Sequence, residues 1–116
     1  MAAASQNLRI HAGQAYARRW RVGKAGVYWN LAGYSVRSQI RDEMGNLAVD
    51  LGTAPGVGIA VAGAANEWVV YTLTAELNVL AVGVDYTWDL WLTSPDGKFK
   101  EPILAGTVKV LKRVTL

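Results

Sequence analysis

The side chains in this sequence that could do chemistry are few, and its five tryptophans are the feature of the composition that most invites a functional reading. One histidine, His11, nine acids, five tryptophans and no cysteine are spread over 116 residues. A serine-type triad would need His11 beside a nucleophile, and the G-x-S-x-G elbow that presents such a serine does not occur. Without cysteine there are no disulfides, thiolate zinc sites or thiol nucleophiles, and the redox compartment stays open. A calcium site would have to be gathered from Asp85, Asp89 and Asp96, which lack EF-hand spacing. Gly56-Val57-Gly58 lacks the third glycine, the lysine and the following helix of a phosphate-binding loop, and reads as a loop or bulge. Glycoside hydrolysis needs two carboxylates across a cleft, and nine acids supply such a pair by chance. No catalytic, cofactor or metal residue is assigned, and an enzyme is not expected.

The elements that would carry the tryptophans show a period of two, broken by glycine-centred turns roughly every eight to twelve residues, the pattern of an all-β sandwich or barrel. Expected strands are Asn7 to His11, Gln14 to Val22, Tyr34 to Arg41, a fourth with Leu47, Val49 and Leu51 inward, and a fifth with Val57, Ile59 and Val61. Asn66 to Leu73 and Tyr86 to Thr93 follow, then Phe99 to Leu104 and, beyond Gly106, Thr107 to Val114. Turns are expected at Gly23-Lys24-Ala25-Gly26, Asp42 to Asn46, Thr53-Ala54-Pro55-Gly56 and Ser94-Pro95-Asp96-Gly97. Pro102 has no amide hydrogen to give a ladder, so its strand should lie at an edge or carry a bulge. Thr74 to Leu80 is the one expected helical turn, opened by a capping threonine.

On these strands the aromatic side chains sort by phase. Tyr16, Trp20 and Val22 share a face, with Arg18 as the misfit, and Trp20 and Trp88 fall among apolar neighbours as core. Trp68 alternates out of phase with Val69 and Tyr71, and Trp91 with Leu90 and Leu92, which places both indoles on outer surfaces, Val70 beside Trp68. Exposed aromatics of this kind mark protein interfaces or sugar-stacking platforms. Trp29 sits in a connection where it could lid the end of the sandwich.

Charge is segregated along the chain: +7 over residues 1–41, −8 over 42–97 and +4 from Lys98 onward. Basic strands from the ends pairing with acidic strands from the middle would explain it, as would head-to-tail packing of identical copies, basic face on acidic face. A nucleic-acid surface at Arg18, Arg19 and Arg21 would show a steep salt dependence, but these cations alternate with apolar residues instead of clustering in a tail. The length fits one domain, residues 8–116, behind a flexible N-terminus of residues 1–7. No apolar run approaches the roughly 18 residues of a membrane span, and Met1 to Asn7 lacks a secretory signal, so a soluble, unexported protein is expected.

Several segments in order resemble the small β-sandwich domain at the N-terminus of phage baseplate upper proteins and in stand-alone phage and prophage tail-associated structural proteins. They begin with Gly13-Gln14-Ala15-Tyr16 opening a strand. Asn30-Leu31-Ala32-Gly33-Tyr34 leading into Arg37-Ser38-Gln39-Ile40-Arg41 is similar to that family's "D-L-T-G-Y" entry into "R-x-Q-I-R". Thr72-Leu73-Thr74-Ala75-Glu76 resembles its "L-S-x-E" turn, Trp88-Asp89-Leu90 with Pro95-Asp96-Gly97 its "Y-D-L … D-G" hairpin, and Leu104 to Val110 its "L-x-G-x-V-x-V" close. Trp88 stands where the family usually has Tyr, and Asn30 where it has Asp. The similarity spans about residues 8–115.

The resemblance implies an immunoglobulin-like antiparallel β-sandwich and a non-enzymatic virion structural protein, tail- or baseplate-associated, with no cofactor. It implies other phage structural proteins as partners, a homo-oligomer in the particle, and no small-molecule substrate, nucleic acid or membrane. With no sequence beyond the domain, no fibre or receptor-binding extension is expected, which leaves capsid decoration or a neck role open. A carbohydrate-binding module recognising host surface glycans is the alternative from another class. The expected interface residues are Trp68, Val70, Trp91, Arg19 and Arg21.

Overall fold

The computed structural model describes residues 4–24, 26–53 and 57–112. Ala25, Ala54, Pro55, Gly56 and Val114, named above in turns and in the last strand, lie outside them, as do residues 1–3. Eleven strands follow one another: β1 (Ala4–Ser5), β2 (Leu8–His11), β3 (Tyr16–Arg21), β4 (Gly23–Lys24), β5 (Val27–Tyr28), β6 (Ser35–Asp42), β7 (Leu47–Gly52), β8 (Ile59–Ala62), β9 (Trp68–Leu73), β10 (Tyr86–Thr93) and β11 (Lys100–Leu111). One sheet runs β1-β11-β10-β6-β7, with β2 also on β11; the other runs β3-β9-β8, and β4 and β5 form a small hairpin. Neighbours pair antiparallel except β1 and β2, which run parallel to β11.

Alternation decides which face each strand buries. Val36, Ser38 and Ile40 of β6, Tyr86, Trp88, Leu90 and Leu92 of β10, and Val69, Tyr71 and Leu73 of β9 all point into the space between the sheets. Each fully buried leucine or isoleucine there contributes roughly 1.5–3 kcal/mol relative to exposure. A buried hydroxyl pair spans the layers: Ser38 Oγ donates to Tyr71 Oη at 3.3 Å. Tyr71 also meets Trp20 and Trp88 edge-on, and those two indoles stack with centroids 5.6 Å apart. Burial of its ring pushes the Tyr71 hydroxyl up to about 12, because the apolar interior disfavours the phenolate. Two facing sheets around one apolar layer make an all-β sandwich, one of the two architectures that the alternation implied, and immunoglobulin-like as the resemblance implied.

Several details differ from the sequence reading, each for a local reason. The last two expected strands are one, β11, which runs through Gly106 without a break. A side chain at Gly106 would collide with the Gln6 carbonyl, so the glycine is where the N-terminal segment, running along one edge of β11 from β1 to β2, presses closest against the strand. Gln6 is held there, its amide donating to the Ala105 carbonyl at 2.9 Å and its carbonyl accepting from Trp88 Nε1 at 2.7 Å. Pro102, by contrast, meets its expectation: the β10–β11 register shifts between Leu90 and Trp91, which puts a bulge beside it, and β1 joins the other side of β11 only from Leu104. Leu47, expected to share a face with Val49 and Leu51, is exposed, because a register shift between β6 and β7 separates it from Val49; Val57, expected in the fifth strand, precedes β8 and is exposed. The helical turn reduces to Asn78 N donating to the Thr74 carbonyl at 3.0 Å, with Thr74 Oγ1 accepting from Leu77 N; no α-helix occurs among the described residues.

Candidate functional site

The outer face of the three-stranded sheet gathers four of the five expected interface residues. Arg19 and Arg21 share a face of β3 by alternation, and the β3–β9 register sets Arg21 opposite Trp68 and Arg19 opposite Val70. Trp68 thus has one arginine directly across and one on the diagonal, both within reach of long side chains. Both guanidinium carbons lie 4.6 Å from the Trp68 ring, and Arg21 also lies 4.8 Å from the Tyr28 ring on β5. A cation over an aromatic face gains about 0.5–1 kcal/mol at an exposed site. It also leaves the planar N–H edge of each guanidinium open to an acceptor. Among the described residues no carboxylate pairs with Arg19 or Arg21.

Local packing makes this cluster stand out from its surroundings. Gly63, at φ 99°, runs beneath the indole, and a Cβ there would lie 2.8 Å from Trp68 Cδ1. Across β9, Ala60 faces Val70 and Ala62 faces Trp68, so small side chains surround the larger ones. Val70 and Trp68 are half-buried, while Val27 and Tyr28 of the adjoining hairpin are 66% and 52% exposed. The patch therefore combines a Trp, a Tyr and two Arg with a shallow apolar margin, the residue types that dominate binding energy at protein interfaces. Tyr28 was missed from sequence, where the neighbouring Trp29 drew attention as a lid. Trp29 does pack at the end of the sandwich, edge-on to Phe99 at 5.8 Å.

Arg18, the misfit of the β3 pattern, turns the other way. It lies 5.7 Å from the Trp20 ring. With the Gln6 amide oriented oxygen-first, Gln6 accepts from Arg18 Nη2 at 3.0 Å. The basic triplet is thus split two to one across the sheet, and no continuous arginine track is formed.

Trp91 lies on the opposite sheet, half-buried between Arg37 of β6 and Pro102 of β11. One cation there, Arg37, is matched by an acid. Arg37 donates through Nε and Nη2 to Asp50 at 3.1 and 2.9 Å, the cross-strand pairing of basic and acidic blocks that the charge pattern allowed. The Arg37 hydrogen bond holds the Asp50 carboxyl below the usual carboxylate range. Backbone amides act likewise in the β6–β7 turn, where Asp42 Oδ1 accepts from Asn46 N and Met44 N and its pKa falls. His11 Nδ1 lies 2.9 Å from the Lys112 carbonyl, and no metal-holding cluster of three or more His, Cys, Asp or Glu occurs among the described residues.

No family model matches the chain, and no curated protein matches it. Among solved structures, CopC from Methylosinus trichosporium OB3b is similar at 20% identity, covering 93% of this chain and 90% of that one, with a TM-score of 0.43. Murine CRIg is similar at 14% identity, covering 91% and 92%, with a TM-score of 0.45. These likenesses concern overall architecture and transfer no residue or role. No helix among the described residues is long and apolar enough to cross a membrane.

Proposed function

We propose that the chain is a non-enzymatic structural protein of a phage particle, tail- or baseplate-associated, which self-associates and docks to other virion proteins through the outer face of β3 and β9. The observation that carries the docking part is the Arg19–Trp68–Arg21–Tyr28 cluster. Its cations are positioned by rings and left without carboxylates among the described residues. The phage setting rests on the ordered sequence motifs described above. A partner that brings carboxylates to the two guanidinium edges and an apolar surface to Trp68 and Val70 would complete the site, and the chain's own acidic middle block makes a second copy one such partner.

Sedimentation velocity over a concentration series tests the docking part. The wild-type chain associates as concentration rises, while Trp68→Ala and the double variant Arg19→Ala/Arg21→Ala stay monomeric and melt close to the wild-type temperature. Mass spectrometry of particles induced from the encoding strain tests the setting. Detection of the chain as a stoichiometric particle component supports it, and its absence from purified particles contradicts it.

A further inference from the structure

Trp91 has surroundings of its own, on the sheet opposite the docking face. It opens into a cleft of about 460 Å³, within the range of roughly 300–1,000 Å³ typical of small-ligand sites. Polar side chains from three strands line the cleft with it: Arg37 and Gln39 of β6, Asp89 and Thr93 of β10, and Lys100 of β11. Apart from the indole and the buried Val36 at its base, the side chains that line the cleft are charged or hydrogen-bonding.

The polar groups are held in place and only partly used. Arg37 commits Nε and Nη2 to Asp50, which leaves the two N–H groups of Nη1 without an acceptor among the described residues. Gln39 Oε1 accepts from Arg41 Nη2 at 2.6 Å, which fixes its amide. Asp89 accepts one bond, from the Gln39 backbone amide at 3.3 Å, and a carboxylate has about four acceptor sites. Lys100 is exposed and has no carboxylate partner among the described residues. The cleft therefore presents one aromatic face, a largely free carboxylate and two cationic donors at the end of a tied network.

A pyranose ring matches that combination. One of its faces is a patch of C–H groups that can pack on an indole, and its rim carries hydroxyls that both donate and accept. The geometry points to a saccharide-binding cleft in which Trp91 is the platform, Asp89 accepts from hydroxyls, and Arg37 Nη1 and Lys100 donate to hydroxyl, ring or carboxylate oxygens. Docking through β3 and β9 and sugar binding on β6, β10 and β11 use opposite faces, so either reading can fail alone.

The folded chain, labelled for amide NMR, is titrated with short oligosaccharides of neutral hexose, of N-acetylhexosamine and of uronic acid. At least one series is expected to shift resonances on β6, β10 and β11 around Trp91. Trp91→Ala is expected to weaken that binding about tenfold or more, a change equivalent to about 1.4 kcal/mol or above. Asp89→Asn weakens it less, and Trp68→Ala binds as wild type. Trp91→Phe keeps a ring and part of the affinity, and with Asp89→Asn it decides the matter if the alanine variant does not fold. Absence of shifts at this cleft with all three series, shifts centred on Trp68, or binding indifferent to both Trp91→Phe and Asp89→Asn would overturn the proposal.

Discussion

On the six-stranded sheet Arg37 lies in a bidentate pair with Asp50, whereas on the three-stranded sheet Arg19 and Arg21 rest on Trp68 and meet no carboxylate among the described residues. The same side chain is treated in two ways within one small fold. An arginine answered by an acid across the ladder has its charge compensated within the molecule, while one laid on a ring is ordered with its charge still unmatched. Charge counts miss this difference, because both kinds of arginine contribute equally to the net charge of +3. What separates them is the neighbour that strand pairing supplies.

The largest expected effect removes both faces at once through the core they share. The Tyr71 hydroxyl, raised by burial to about 12 from its ordinary 10.0, favours the folded state below pH 10. That contribution, on the order of 3 kcal/mol, is lost as pH rises from the unfolded value through the folded one. Alkaline unfolding of the wild type is therefore expected between about pH 10 and 12. Tyr71→Phe should flatten the pH dependence in that window, at a cost of about 1 kcal/mol near neutrality for the lost bond with Ser38. Circular dichroism melts at stepped pH read both quantities.

Next in size is the docking face itself. Trp68→Ala removes the ring that holds both guanidinium groups and is expected to weaken self-association by about 2 kcal/mol or more, as interface hot spots do. The same substitution at Trp91 should leave association unchanged. Added salt should weaken the wild-type contact, since its charged part is solvent-accessible.

The smallest effect lies on the other side. Arg37→Ala or Asp50→Ala breaks an exposed pair, and the loss of stability should be the least of the three. Because Asp50 titrates below its ordinary range in the fold, the pair's contribution is present above about pH 4 and fades as pH falls below it. Denaturant melts at pH 7 and pH 3 of wild type and Asp50→Ala should differ at the first and converge at the second.

Much of the sandwich was legible because β6, β9 and β10 alternate with few exceptions. Val36, Ile40, Val69, Tyr71, Leu90 and Leu92 could be placed inward, and Trp68, Val70 and Trp91 outward, from period alone. Arg18 broke that period and so signalled a special role, which proved to be its reach past Trp20 to Gln6. Lateral neighbours could not be read in this way. That Trp68 meets Arg19 and Arg21 follows from the pairing of β3 with β9, two strands far apart in the chain, and the Trp91 cleft from the alignment of β6, β10 and β11. Gly106 looked like a strand boundary, since its reason for being glycine is the Gln6 carbonyl of the N-terminal segment pressed against it.

Hydroxyl-radical footprinting of the tryptophans, above and below the concentration at which the chain associates, tests the docking face most directly. Protection of Trp68 on association, with Trp91 oxidised equally in both states, is the expected result. Trp68 oxidised at the same rate in the free and associated chain would contradict it.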